Sequence, residues 1–171
     1  SSSIAALPNN PKLKPLVYRY SGGDYELEVL ADNILPELSV SQLLVYALGF
    51  NEITLDAEVD LTIRDAPLRE FTISIPDGYT VAQLSAAALA DYFLGPPENG
   101  KRPLRLVFSQ PLEGRHLIQL RLEQNQAVEG DEWSIPRLDY ERVKSVRGFV
   151  GVSASPGLRL IPAAVKDVNE I

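Results

Sequence analysis

Twelve consecutive residues, 52–63, alternate without a break between polar and apolar side chains. Ile53, Leu55, Ala57, Val59, Leu61 and Ile63 hold the odd positions, and Glu52, Thr54, Asp56, Glu58, Asp60 and Thr62 the even ones. Successive side chains of a strand point to opposite faces, so this order sends one class to each face, whereas a helix would scatter both around its circumference. The stretch predicts a long strand with one face on a core and the other in water, the usual condition of an antiparallel sheet. The rest of the chain has to supply cover for that apolar face.

It has the means. Of 171 residues, 45% are hydrophobic and 23% charged, an ordinary globular balance. A chain of this size buries roughly 70% of its unfolded surface, so neither a disulfide nor a metal is required to hold it. There is no cysteine, which removes disulfides, thiolate-bound zinc, iron–sulfur clusters and thiol catalysis. The formal net charge of −7, with no basic run, disfavours nucleic acid and anionic membrane as partners, because phosphate binding needs a basic surface. No stretch is long and apolar enough to span a bilayer, so direct membrane insertion is not expected. The chain lacks methionine and opens Ser1-Ser2-Ser3, as expected of a processed product or a piece of something longer.

Proline at positions 8, 11 and 15 beside Asn9 and Asn10 predicts an extended arm or linker over residues 1–15. Residues 16–20 and 25–31 then read as a hairpin around Ser21-Gly22-Gly23-Asp24, with Tyr25, Leu27 and Val29 on one face and Glu26 and Glu28 on the other. Residues 37–48 form a second long strand. Leu38, Val40, Leu44, Tyr46 and Leu48 share a face that Gln42 interrupts, and Leu43, Val45 and Ala47 make the other face apolar as well. That pattern suits a central place in a sheet. With Gly49-Phe50-Asn51 as a tight turn, the two long strands make a hairpin roughly 40 Å long at about 3.3 Å per residue.

Asp65-Ala66-Pro67 is expected to end the second arm, after which residues 69–75 alternate again and Pro76-Asp77-Gly78 turns the chain. Residues 80–94 carry conflicting signals. Thr80 with Gln83 resembles a capping box, residues 86–90 are rich in helix formers and Gly95-Pro96 would stop a helix. The competing reading is two short strands over 79–84 and 89–94. Residues 96–100 are a loop, 104–108 a strand, 110–114 a connection, and 115–123 an alternating strand. A polar loop over 124–131 leads to a segment beginning at Trp133, then a strand over 146–154. A turn at Ser155-Pro156-Gly157 precedes a closing hairpin over 158–161.

Candidate chemistry is sparse. His116 is the sole histidine. It cannot build a multi-histidine metal site and reads as a core or edge residue with a hydrogen-bond partner. Asp56 and Asp60 flank Glu58 at about 6.6 Å per step along one strand face, within range of paired glycosidase carboxylates. Such pairs normally face each other across a cleft, and a solvated face that discourages aggregation explains the row as well. Asp24, Glu26 and Glu28 read the same way. Gly22-Gly23 precedes a strand and makes no phosphate cradle, while Gly148 and Gly151 in a strand mark a bulge or close packing. No catalytic, cofactor-binding or metal-binding residue is assigned. The aromatic side chains Tyr18, Tyr20, Trp133 and Tyr140 are the candidate ligand contacts, since exposed rings could form a sugar platform.

A longer pattern runs through the second half: residues 71–81 (Phe-Thr-Ile-Ser-Ile-Pro-Asp-Gly-Tyr-Thr-Val) and 101–114 (Lys-Arg-Pro-Leu-Arg-Leu-Val-Phe-Ser-Gln-Pro-Leu-Glu-Gly), then 120–123, 133–138 and 147–152. It resembles segments of very large exported or membrane-anchored proteins of the Planctomycetes and Verrucomicrobia type, assembled from β-sandwich domains. The likeness covers residues 16–171 through packing and turn motifs and brings no catalytic residues. It implies an extracytoplasmic module, periplasmic or at the cell surface, and strands rather than a helix over 79–94.

The expectation is therefore a mainly β fold, an antiparallel super-sandwich of two packed sheets with long strands and at most one short helix, over 80–94. Residues 16–171 would form one domain of a larger protein. Its role would be structural or interactive and non-enzymatic, with neighbouring domains or another protein as partners. The alternative is a carbohydrate-binding module, or an accessory domain of a glycan-active enzyme.

Overall fold

The Gly49 N–H donates to the Glu52 carbonyl at 2.8 Å and closes the turn that the sequence led us to expect between β1 (Glu37–Leu48) and β2 (Ile53–Pro76). The two strands pair antiparallel from Glu37 opposite Arg64 to Leu48 opposite Ile53. Leu38, Val40, Leu44, Tyr46 and Leu48 of β1 and the odd residues Ile53 to Ile63 of β2 are all buried, so the alternation of residues 52–63 marks the core face. The computed structural model describes residues 15–126 and 132–171. The chain divides into two units, Ser1–Asn33 and Ile34–Ile171.

In the first unit the expected hairpin over 16–20 and 25–31 does not form. The chain turns at Gly22 (φ 128°) and the rings of Tyr20 and Tyr25 stack at 4.4 Å, but residues 15–33 hold no strand. An isolated two-stranded ribbon is marginal in water without a face to pack on, and Leu16, Val17, Leu27 and Val29 are exposed. The extended arm expected over residues 1–15 lies outside the described residues except for Pro15.

The second unit adds β3 (Thr80–Ala86), β4 (Leu89–Leu94), β5 (Lys101–Gln124), β6 (Asp139–Tyr140) and β7 (Val143–Ala154), and its described residues include no helix. Two strands occupy 80–94, with Ala88 (φ 53°) in the turn between them. Both pair with β5 rather than with each other, and Val81, Leu84, Ala86, Leu89 and Leu94 pack on the core. Cross-strand packing overrides the local helix signals.

Two features depart from the expected antiparallel pair of sheets. All seven strands belong to one hydrogen-bonded sheet, in the order β3-β5-β2-β1-β7, with β4 also on β5 and β6 also on β2. The β1–β7 pair is parallel, so the sheet is mixed. The single sheet follows from the length of β2 and β5. Each runs 24 residues, straight through 65–67 and 110–114, where Pro67 and Pro111 suggested breaks. The β2–β5 register slips between Ile63 and Glu70, Asp65 (φ 69°) and Gly114 (φ 82°) take left-handed backbone, and neither proline sits opposite a ladder partner. Proline is tolerated at such a bulge because no donor is needed there.

Beyond the slip the same parity stays buried: Phe71, Ile73 and Ile75 on β2, and Leu104, Leu106, Phe108, Ile118, Leu120 and Leu122 on β5. Residues of both halves share one core cluster. β1 lies between β2 and β7, the central place its two apolar faces suggested. The turn at Ser155-Pro156-Gly157 forms, with the Leu158 N–H donating to Ser155 at 3.0 Å. The closing hairpin does not, since residues 155–171 hold no strand. Of the polar loop expected over 124–131, residues 127–131 lie outside the described residues.

Candidate functional site

The four candidate aromatic residues are split between the units. Tyr18 and Tyr20 lie in the first, both exposed, with one face of Tyr20 taken by Tyr25. Trp133 and Tyr140 lie in the second, both partly buried against its core. Trp133 meets the buried Tyr46 ring edge-on at 5.6 Å, and the Tyr46 hydroxyl donates to the Pro136 carbonyl. Tyr140 stacks on Phe71 at 6.0 Å, and its hydroxyl donates to Gln42 Oε1 at 2.6 Å. This answers for Gln42, the one polar residue on the apolar face of β1. Burial pushes the Tyr46, Tyr79 and Tyr140 hydroxyls above the ordinary tyrosine range. The Tyr79 hydroxyl is buried with no hydrogen-bond partner among the described residues. The Trp133 and Tyr140 rings are thus committed to the core.

The acidic row on the outer face of β2 is cross-linked to β5. Asp60 accepts from Arg115 Nε at 2.8 Å and from Nη2 at 2.5 Å, and this two-pronged bond holds its carboxyl below the usual carboxylate range. Arg121 reaches Asp56 and Glu123, each at 3.3 Å. Arg121 stands directly opposite Asp56, whereas Arg115, opposite Thr62, reaches Asp60 on the diagonal. Neighbours of both kinds interact across antiparallel strands, so Asp56 and Asp60 are ion-paired to β5 rather than set as a pair of facing acids. Among the described residues no group of three or more His, Asp and Glu is placed to hold a metal ion. His116 is half-buried and its Nε2 donates to the Glu113 carbonyl at 2.8 Å.

The surface that remains unexplained by packing is at β7. This strand ends the sheet, and among the described residues nothing pairs with its outer edge. Its register on β1 places Val146, Gly148 and Val150 in line with the core face residues Val40, Gln42 and Leu44, yet Val146 and Val150 are 49% and 48% exposed. On the opposite face Phe149, 61% exposed, lies beside Leu43, itself exposed. Arg147 shares that face, next to a depression of about 260 Å³ lined by Ser39, Ser41, Thr62 and Ser145, and has no ion-pair partner among the described residues. A strand apolar on both faces belongs inside a sheet, and this one stands at its border. Sequence reading found the strand but missed its exposure. The signal was present, because Val146, Phe149 and Val150 fall on both faces.

Neither the protein-family models nor the curated proteins include a match to this chain. Among solved structures, the M1 zinc metallopeptidase from Deinococcus radiodurans is similar over 58% of this chain and 23% of its own length, at 14% identity and a TM-score of 0.41. Leukotriene A4 hydrolase from Saccharomyces cerevisiae is similar over 51% and 15%, at 11% identity and 0.40. A non-cellulosomal cohesin from Archaeoglobus fulgidus is similar over 68% and 90%, at 9% identity and 0.37. The chain spans about a quarter of the metallopeptidase's length. Likenesses this shallow carry no argument about what the chain does.

Proposed function

We propose that this chain is a non-enzymatic structural and interaction module of a larger exported bacterial protein, and that it works through the β7 side of its sheet. The observation that carries the reading is the exposure of β7 on both faces beside an unpaired edge. β7 runs 12 residues with β1 on one side only, and the N–H and C=O groups of its outer edge, which no strand among the described residues meets, are a template for another strand. Strand addition draws affinity from main-chain hydrogen bonds and specificity from side chains that alternate along the edge. In this reading the two halves of the sheet act as the two layers of a sandwich, a rigid support for the edge. The resemblance of residues 16–171 to β-sandwich segments of large exported proteins supports an extracytoplasmic location, with neighbouring domains or another protein as partners.

The test is a panel of extended peptides that alternate apolar and charged residues, titrated against the chain and against Val150→Lys. Binding to the parent chain that is lost in Val150→Lys, with circular dichroism unchanged, is the expected result. Binding that survives Val150→Lys, or no binding across the panel, overturns the reading.

A further inference from the structure

We propose that residues 24–31 of a second copy of this chain add to the open edge of β7. The inference rests on the reading of β7 as an interaction edge and names its occupant.

Three observations converge. First, residues 25–29 have strand patterning, Tyr25, Leu27 and Val29 alternating with Glu26 and Glu28, yet within one chain residues 15–36 hold no strand. All three apolar side chains are exposed. Second, charge is complementary. Residues 24–32 carry Asp24, Glu26, Glu28 and Asp32 and no cation, while β7 carries Lys144 and Arg147 and no carboxylate. Lys144 already meets Glu37 at 2.9 Å, which leaves Arg147 as the cation to be matched.

Third, one register satisfies both requirements. In an antiparallel pair with Glu28 opposite Arg147, the incoming Tyr25, Leu27 and Val29 fall in line with Val150, Gly148 and Val146. They extend the apolar row that β7 leaves uncovered, and Glu28 shares the outer face with Arg147. Opposite charges directly across an antiparallel pair stabilise it, and an apolar side chain beside Gly148 covers backbone that glycine leaves bare. Reciprocal exchange between two copies closes a dimer, whereas one-way exchange builds chains.

The test is sedimentation velocity of the full 171-residue chain from micromolar to millimolar concentration. The parent chain self-associates as concentration rises. Val29→Pro, at a position outside every strand, removes a ladder donor and weakens association about tenfold or more with circular dichroism unchanged. Glu28→Arg and Arg147→Glu each weaken association, and the double exchange restores it. A peptide of residues 22–32 binds the Val29→Pro chain and disperses the parent's assemblies.

A parent chain that stays monomeric at every concentration overturns the proposal. If the peptide then binds Val29→Pro but not the parent, the chain's own segment occupies the edge. Association that persists in Val29→Pro but is lost in Val150→Lys refutes the donor segment and leaves the β7 reading standing. Association indifferent to both variants refutes both.

Discussion

Three core tyrosine hydroxyls, those of Tyr46, Tyr79 and Tyr140, differ in whether a hydrogen bond meets them. Tyr140 donates to Gln42, so Tyr140→Phe leaves a partly buried amide oxygen unpaired and is expected to destabilise the fold by about 1–2 kcal/mol. The Tyr46 hydroxyl is likewise satisfied, by Pro136. Tyr79 has no such partner among the described residues. Tyr79→Phe removes a buried, unsatisfied hydroxyl and is expected to be neutral or stabilising by up to about 1 kcal/mol. Urea denaturation of the two variants side by side checks the contrast. Gly148 stands at the same scale. A Cβ there would lie 1.9 Å from the Gln42 carbonyl oxygen, and the residue has φ +156°. Gly148→Ala therefore forces β7 away from β1 and is expected to lower stability by about 1–3 kcal/mol, read as a drop in the denaturation midpoint with faster amide exchange along β7. Sequence reading marked Gly148 as a bulge or packing glycine. It could not name the atom packed against it, because Gln42 is brought there by a parallel pairing across more than a hundred residues.

Among the elements, β2 and β5 are tied on their outer face by the Asp60–Arg115 and Asp56–Arg121 pairs. The Asp60 carboxyl is held below its ordinary value of 3.8, chiefly by the Arg115 hydrogen bond. A depressed folded-state pKa contributes stability that is present above the unfolded value and is lost as pH falls through the folded one. The parent chain is thus expected to lose stability as pH drops below about 3.8 more steeply than Asp60→Asn does, with the difference narrowed by salt because the pair is near the surface. Thermal unfolding across that pH range, at low and high ionic strength, measures it. The elements also show where strand patterning suffices and where it does not. Residues 53–63 and 25–29 alternate equally well. The first became a strand because β1 and β5 flank it, while the second has no flanking ladder among the described residues of its own chain.

For the second unit as a whole, the defining feature is one mixed sheet whose strands bury a single shared core, to which Trp133, Leu138 and Tyr140 of the 132–140 segment add. Leu138 is 4% exposed in that segment, and Leu138→Ala is expected to cost about 2–4 kcal/mol through lost burial and a residual cavity, measured by chemical denaturation. The sequence alone determined the β class, the long β1–β2 hairpin with its turn at Gly49, the core parity of both strands, and the central place of β1. Each of these follows from local alternation and turn chemistry, which a strand expresses wherever it is placed. Only the tertiary structure decided that β2 and β5 continue past Pro67 and Pro111, that 80–94 is two strands, that Asp56 and Asp60 meet arginines, and that β7 runs parallel to β1 at an open border. Those outcomes depend on which strands become neighbours, and neighbour choice is settled by burial and backbone pairing between residues far apart in the chain, where alternation is silent.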